Sequence, residues 1–193
     1  MDGSYLGDAM LYLINTIFSI YILLVVLRFL LQMVRADSHN PISQFLLQAT
    51  NPPLRLLRRF IPGFAGVDWS CIILMVALQA IELSLTSLIA YGSSFAFPGL
   101  VVLSCAELLK LIIYVCMFVI FVQIILSWIN PGSYNPITVL LYQLSEPLLR
   151  PARRLLPPTH GIDFSPILVF IVLQLSLMLL VRPLADLGRA LAV

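Results

Sequence analysis

Two sets of arginines with the same internal spacing are the residues of this sequence best suited to bind a charged partner. The sets are Arg55, Arg58 and Arg59, and Arg150, Arg153 and Arg154. Positions i, i+3 and i+4 share one face of a helix, and leucines occupy the opposite face of each segment. Such a helix lies in a membrane interface, where the planar arginine fork binds the phosphates of anionic lipids or an acidic partner protein. Alternatively, these arginines only fix the orientation of the chain in the membrane.

A second feature that could do chemistry is the motif Gly-x-Asp-x-Ser, which follows each basic segment and places Asp68 and Asp163 directly before an apolar segment. A carboxylate there accepts hydrogen bonds from the free N–H groups of the first helical turn and lies at the positive end of the helix dipole. We therefore predict helix caps at both aspartates. The alternative is a cation site or a catalytic carboxylate pair, for which the sequence offers no further ligands.

Polar side chains within the apolar segments could line a path across a membrane; they are Gln79, Glu82, Glu107, Lys110 and Gln174. Charged groups inside a membrane are costly and therefore often functional. Glu82 is the strongest candidate because it lies near the middle of its segment, either protonated or paired with Lys110. Glu107 and Lys110, spaced i, i+3, can pair with each other, and Gln79 can hydrogen-bond Gln174 between helices.

The sequence contains no motif of an enzyme, a metal site or a cofactor site. It has no GxSxG, HExxH, phosphate-binding loop or dinucleotide fingerprint, and His39 and His160 belong to no metal-ligand spacing. Cys71, Cys105 and Cys116 form no CxxC pair, so we expect reduced, buried packing residues. We predict a non-enzymatic protein without metal or cofactor.

The composition indicates the class of protein that must position these residues. Of 193 residues, 61% are hydrophobic and 10% charged, and the mean hydropathy is +1.03. Soluble domains are about 45–50% apolar and about 25% charged, so a soluble enzyme and a disordered chain are both excluded. The net charge of +2 is too small for a nucleic-acid-binding protein. The remaining class is an integral membrane protein.

Four apolar segments are long enough to span a membrane as helices, which takes about 20 residues. They are residues 9–34, 69–91, 100–129 and 164–181. Arginines are concentrated in the connections 35–68 and 130–163, and cytoplasmic loops are enriched in Lys and Arg. We therefore predict that both basic connections face the cytoplasm, with loop 92–99 and both termini on the other side. Arg182 and Arg189 in the C-terminal tail count against this orientation.

An internal repeat is the strongest signal in the sequence. A shift of 95 residues aligns the two halves without a gap over 40–70 and 135–165, matching among others Asn-Pro-Ile, Leu-Arg-x-x-Arg-Arg-x-x-Pro and Gly-x-Asp-x-Ser. The chain is therefore a tandem duplication, with repeats 1–95 and 96–193. Each repeat has two spans, so both point the same way across the membrane. We expect a pseudo-two-fold axis along the membrane normal, and each connection to form two short helices separated at a proline.

Arg28 is the one charge in the first apolar segment, and the repeat pairs it with a neutral residue, Gln123. Its place near the end of the span allows the guanidinium to snorkel to the headgroups or to pair with Asp68 or Asp163. The charge at this place is therefore not needed in both halves.

The repeated residues resemble the YggT family (YlmG-type proteins), which has the pattern Asn-Pro-Ile, Pro-x-Leu-Arg-x-x-Arg-Arg-x-x-Pro and Gly-x-Asp-x-Ser. The resemblance covers both repeats. Ser127-Trp128-Ile129 before the second copy also fits, whereas Gln32-Met33 replace Ser-Trp before the first. The resemblance implies a bacterial inner-membrane protein with no established enzymatic activity. It also implies links to osmotic or envelope stress response, to cell division and to assembly of membrane complexes.

These observations together predict an all-α polytopic membrane protein with four spans in two parallel repeats and short interfacial amphipathic helices. The leading function is a membrane-organising or complex-assembly factor whose basic helices bind anionic lipids or other membrane proteins. The alternative is a channel or transporter for ions or small solutes. Because four spans are few for a pore, that alternative would need a homo-oligomer.

Overall fold

The chain folds as a bundle of long helices in the computed structural model, which describes residues 5–61, 63, 66–129, 135–156 and 163–192. The helices are α1 (Tyr5–Met33), α2 (Pro41–Arg58), α3 (Trp69–Tyr91), α4 (Phe97–Ile129), α5 (Pro136–Leu155), α6 (Ser165–Ser176) and α7 (Arg182–Leu191). A π-helical turn, Leu177–Val181, joins α6 to α7. No strand occurs in the described ranges. The predicted all-α membrane class is confirmed.

Four helices have the length and composition of membrane spans: α1, α3, α4 and the continuous stretch Ser165–Leu191. The predicted start of α3 at Trp69 is confirmed. Gly66 (φ +79°) turns the chain just before it. The prediction that the fourth span ends at 181 is wrong. The apolar run ends there, but Pro183 lies in the first turn of α7, where proline is tolerated, and the helix continues to Leu191.

The two connections fold as single amphipathic helices, α2 and α5. The prediction of two short helices in each is wrong, because Pro52 and Pro53 lie inside α2, as do Pro147 and Pro151 in α5. A proline removes the hydrogen bond to the carbonyl four residues earlier. The Tyr21 hydroxyl donates to the Ala49 carbonyl at 3.4 Å, which Pro53 leaves without its helical partner. This contact compensates for part of the cost of the proline.

The largest hydrophobic core lies where α1, α3 and α4 meet. It contains Ile22 and Val25 of α1, Met75 of α3 and Val119 of α4, and Leu54 of α2 reaches it from the connection. A smaller core around Ile120, Leu149 and Val169 joins α4, α5 and α6. The first repeat and α4 thus form the centre, and α6 packs at the periphery.

The contacts between the two repeats do not follow the expected two-fold symmetry. The symmetry would match the contact between α3 and α4 with one between α6 and α1, but no such contact occurs in the described part of the chain. The loop from 92 to 96 holds α3 beside α4, whereas no loop connects α6 to α1. Instead, α7 packs along the start of α4, where the Ala96 N–H donates to the Ala192 carbonyl at 3.2 Å.

Large apolar side chains cover the outside of the spans, as a surface in contact with lipid requires. Ile17, Phe118 and Leu179 are each more than 60% exposed. The three thiols are free; Cys71 is buried, Cys116 half-buried and Cys105 exposed. The prediction that all three are buried packing residues is wrong for Cys105, because its side of α4 faces outward. His160 and Gly161 lie outside the described residues.

Candidate functional site

The carboxyl-terminal ends of α2 and α5 carry the same ion pair in both repeats. Arg58 donates from Nε to Asp68 Oδ2 at 3.2 Å, and also from Nη2. Ninety-five positions later, Arg153 donates from Nε to Asp163 Oδ2 at 2.8 Å. Each pair ties the end of a connecting helix to an aspartate one or two residues before the next span. Of the six arginines predicted to bind lipid or a partner, these two therefore hold the fold.

The second pair differs from the first in having an additional carboxylate. Arg153 Nη1 donates to Glu146 Oε2 at 2.7 Å, whereas residue 51, the equivalent position in the first repeat, is an asparagine. Burial alone would lower the pKa of Arg153, but hydrogen bonds and charge from Asp163 and Glu146 outweigh burial and raise it. Burial alone would raise the pKa of Asp163, but hydrogen bonds from Ser165 and Arg153 outweigh burial and lower it.

The two aspartates differ at the start of the spans. Asp163 Oδ1 accepts the Ser165 N–H, the first of α6, at 2.9 Å, as a capping side chain does. Asp68 lies at the cap position of α3 but makes no capping hydrogen bond, and its Oδ1 is buried without a partner. The capping prediction is wrong for Asp68, because its other carboxylate oxygen is turned toward Arg58. No group of three or more His, Cys, Asp and Glu side chains in the described residues could hold a metal ion.

Arg28 anchors α2 to α1 instead of snorkelling. Only 4% of the residue is exposed, and its Nη1 donates to Thr50 Oγ1 at 2.7 Å and to Asn51 Oδ1 at 2.9 Å. Both acceptors lie directly before Pro52. The predicted alternatives for Arg28, exposure to headgroups or a pair with Asp68 or Asp163, are therefore wrong.

The second repeat makes the equivalent contact without a charge. There the Ser145 hydroxyl donates to the Gln123 Oε1 atom. Gln123 and Ser145 are the residues 95 positions after Arg28 and Thr50. A polar residue near the end of one span thus binds a small hydroxyl residue in the middle of the connecting helix in both halves. Sequence reasoning missed Thr50 and Ser145, although two hydroxyl residues at one repeat position on an apolar face were a usable signal.

A cavity of about 360 Å³ opens beside Arg28, between the end of α1, the turn after it and α2. We call it the first-repeat pocket; its lining residues are Arg28, Leu31, Gln32, Arg35, Ala36, Ser38, Ser43, Leu47 and Arg58. Arg35 has a left-handed backbone, with φ 52°, which costs an L-residue about 1–2 kcal/mol. Neither Arg35 nor Ser43 belongs to the repeated motifs, so no sequence pattern marks either as a site residue.

Besides Arg58, which is bound to Asp68, four of the six predicted arginines are exposed: Arg55, Arg59, Arg150 and Arg154. We call them the exposed arginine set. None of them takes part in an ion pair within the described residues. Arg55, Arg59 and Arg154 lie in the last turn of α2 or α5 or directly after it, where positive charge is favoured by the helix dipole. Arg150 lies about one turn earlier in α5. The buried side of each helix is fixed by a leucine, Leu54 or Leu149, so the arginines point away from the bundle.

Four of the five residues of the predicted polar path bind one another in two local pairs, and the fifth, Gln174, belongs to neither pair. Gln79 Nε2 donates to Glu82 Oε2 at 2.9 Å, and Ser19 Oγ lies 3.5 Å from the other carboxylate oxygen. Lys110 pairs with Glu107 at 2.9 Å and not with Glu82. Gln174 is exposed on α6, so the predicted bond between Gln79 and Gln174 is wrong because Glu82 takes the Gln79 amide.

Comparison with known proteins places these features in a family. The CCB3/YggT family matches residues 7–89 and again residues 102–184. An uncharacterized protein of Pseudomonas aeruginosa is 44% identical over 93% of this chain and 92% of its own length. An uncharacterized protein of Vibrio alginolyticus is 36% identical over 88% of this chain and 91% of its own. The uncharacterized protein YggT of Escherichia coli is 34% identical over 86% of each chain. No solved structure matches.

Proposed function

Because the chain belongs to the CCB3/YggT family, we propose that it is a non-enzymatic membrane-organising protein that gathers anionic lipids against its connecting helices. The exposed arginine set is the observation that carries this proposal. It recurs at equivalent positions of both repeats, outside the spans, and no described carboxylate neutralises it. An exposed arginine near a bilayer surface contributes about 1 kcal/mol of attraction to anionic lipid.

The ion pairs support the same role by fixing where these arginines lie. Arg58 and Arg153 are bound to Asp68 and Asp163, so each connecting helix is held at its carboxyl end beside the next span. The apolar faces of α2 and α5 are buried against the bundle through Leu54 and Leu149. Two rigid basic surfaces on one molecule can hold more anionic lipid than either alone. The same surfaces could hold an acidic segment of another membrane protein during complex assembly.

The proposal includes an orientation, with the exposed arginine set on the cytoplasmic side of a bacterial inner membrane and both termini outside. The excess of arginine in the two connections supports it. So does the bond between Ala96 and Ala192, which places the C-terminus at the same end of the bundle as the loop from 92 to 96. Single cysteines at Ser94 and His39, in a background where the native cysteines are replaced, should react with a membrane-impermeant maleimide from opposite sides.

The pairing of the polar residues with one another supports the organising role over transport. Glu82 is engaged by Gln79 and Ser19, and Lys110 by Glu107. Ion flux into liposomes containing the wild-type protein should therefore equal that of empty liposomes. Flux that Glu82→Gln abolishes would make the protein a channel or transporter and overturn the proposal.

The direct test measures which lipids remain with the protein. The protein is extracted in lipid nanodiscs from a membrane of phosphatidylethanolamine and phosphatidylglycerol, and the ratio of the two lipids is measured. The wild-type disc should be enriched in phosphatidylglycerol, and R55Q/R59Q should reduce the enrichment. The matched control R182Q/R189Q removes the same charge at the other end of the bundle and should leave it intact. Equal loss in both variants would contradict the proposal.

A further inference from the structure

The first-repeat pocket has more positive charge than the fold requires. Arg28, Arg35 and Arg58 line it, and only Arg58 is paired with a carboxylate. Three arginines against the one carboxylate of Asp68 leave two positive charges uncompensated. Of the two unpaired arginines, Arg28 is buried and Arg35 is exposed at the edge of the pocket. Burying a charge such as that of Arg28 without a counter-charge is costly, and an anion in the pocket would offset that cost.

Two buried polar atoms of this pocket lack a hydrogen-bond partner. Arg28 is 4% exposed and Ser43 is 6% exposed, and neither Arg28 Nε nor Ser43 Oγ has a partner in the described part of the chain. Both hydrogen bonds of the Arg28 guanidinium to Thr50 and Asn51 leave from Nη1. Buried donors are nearly always satisfied in native proteins. The side chains that lack partners are thus in the wall of the cavity.

The second repeat separates the structural role of Arg28 from its charge. Gln123 binds Ser145 as Arg28 binds Thr50, so a neutral side chain is sufficient to hold the connecting helix. At the other pocket positions, the second repeat has Asn130 in place of Arg35, and it adds Glu146 beside Arg153. The equivalent place therefore has one arginine against two carboxylates. The charge at Arg28 and Arg35 is not explained by packing.

We propose that the first-repeat pocket binds a phosphate-type anion, held by the guanidinium groups of Arg28 and Arg35 with the Ser43 hydroxyl. The planar fork of arginine matches phosphate oxygens in pairs. The cavity of about 360 Å³ is in the range of small-molecule sites, about 300–1,000 Å³, and is larger than a single anion. Leu31, Leu47 and Ala36 supply an apolar wall, which suits an organic substituent on the phosphate. None of the exposed arginine set lines this pocket, so the inference does not rest on the proposed function.

The test uses the purified full-length protein in a neutral detergent and titrates it with two probes. One is short-chain phosphatidylglycerol, and the other is inorganic phosphate. We expect saturable binding of at least one probe to wild type, with one site per chain. The variant R28Q/R35N places the residues of the second repeat in the first. It should weaken that binding about tenfold or more, as expected when charge-assisted hydrogen bonds are lost.

A matched control removes two positive charges from the exposed arginine set. R55Q/R59Q should leave the saturable site within about twofold of wild type, although it reduces the enrichment of anionic lipid in nanodiscs. Saturation by the lipid alone identifies a headgroup site, saturation by phosphate alone identifies a free anion, and competition between them identifies a shared site. Each of these outcomes supports the proposal. A melting temperature of R28Q/R35N close to wild type shows that the fold is kept.

The proposal is overturned if neither probe saturates, or if R28Q/R35N binds as wild type does. It is also overturned if the control variant loses the saturable site equally, because the binding would then be a general effect of surface charge. If R28Q/R35N is unstable, a second variant, Ser43→Ala, tests the same site. It removes one hydrogen-bond donor without changing the charge and should weaken the site by about threefold to tenfold.

Discussion

The connecting helices of the two repeats are held by the same contacts. They differ in the net charge of the side chains around those contacts. Both use an arginine on the aspartate before the next span, and both bind a hydroxyl side chain from the preceding span. In the second repeat, Glu146 and Asp163 together exceed the charge of Arg153. In the first, Arg28 and Arg35 add charge, and neither forms an ion pair with a carboxylate within the described residues. Duplication has thus kept the framework and changed the electrostatics of one copy.

Breaking the ion pairs should give the largest difference in stability between the two repeats. Asp68 is 5% exposed, whereas Asp163 is 32% exposed, so loss of the arginine partner should cost more in the first repeat. We expect Arg58→Gln to lower the free energy of unfolding by roughly 2–3 kcal/mol, somewhat below a fully buried pair because the Arg58 side chain is itself 40% exposed. Arg153→Gln should cost about 1 kcal/mol. Unfolding in mixed micelles measures both, and equal losses would show that burial does not distinguish the repeats.

The close packing of α7 on α4 belongs to the second repeat alone, because the last helix of the first repeat ends at Tyr91. A Cβ at Gly188 would lie 2.9 Å from the Leu103 backbone nitrogen, so the helices would have to move apart. We expect Gly188→Ala to cost about 1–2 kcal/mol in the same unfolding measurement. Gly63→Ala is the matched control, since a Cβ there meets only the Val67 carbonyl at 3.5 Å. A stable Gly188→Ala protein would argue against this contact.

Acid should weaken the second repeat through Asp163. The pKa of this carboxyl is lowered by its hydrogen bonds to Ser165 and Arg153, which outweigh the effect of burial. A lowered pKa in the folded protein gives stability that is complete above the unfolded value, about 3.9, and is lost as the pH falls through the folded value. We expect this part of the stability to be roughly 0.5–1 kcal/mol. Thermal unfolding between pH 7 and pH 3 should show a shallower decrease for Asp163→Asn than for wild type, and Asp186→Asn should follow wild type.

The smallest expected effect on stability is at Arg28. Arg28→Gln should remain within roughly 0.5 kcal/mol of wild type, because a glutamine can bind Thr50 as Gln123 binds Ser145, and a buried charge is removed. Thr50→Val in the same background tests whether that hydrogen bond has formed. A loss of about 2 kcal/mol or more in Arg28→Gln would show that the charge holds α2. The two repeats would then differ in structure as well as in charge.

The sequence was sufficient to locate the repeat and the four spans, except for the end of the fourth span, because both depend on long, simple patterns. Trp69 and Tyr91 bound α3 where the apolar run begins and ends. The contacts of the arginines could not be predicted in the same way. Helical spacing placed Arg58 on one face with Arg55 and Arg59, but α2 ends at Arg58 and the chain then returns to bring Asp68 beside it. Sequence separation of ten residues across a turn has no periodic signature.

Two further differences have local physical reasons. Consecutive prolines ordinarily end a helix, whereas α2 continues through Pro52 and Pro53. Part of the cost is offset by the Tyr21 hydroxyl, which reaches the Ala49 carbonyl, a contact between distant parts of the chain. The predicted contacts of the polar path between helices do not form, because Gln79 and Glu82 are three residues apart on one helix and bind each other. Local pairing therefore took precedence over the predicted contacts between helices.

The unequal lengths of α3 and α4 determine how the protein fits bilayers of different thickness. α3 has 23 residues, about 35 Å at helical rise, and α4 has 33, about 50 Å. The hydrocarbon layer is about 30 Å thick, and helices rarely tilt beyond about 40°, so α4 must project into the headgroups even when strongly tilted. Trp128, 82% exposed near its end, is suited to that aromatic belt. A thicker membrane would cover more of α4 without separating it from α3, so hydrophobic mismatch would change the depth of α4 and not the packing of the bundle.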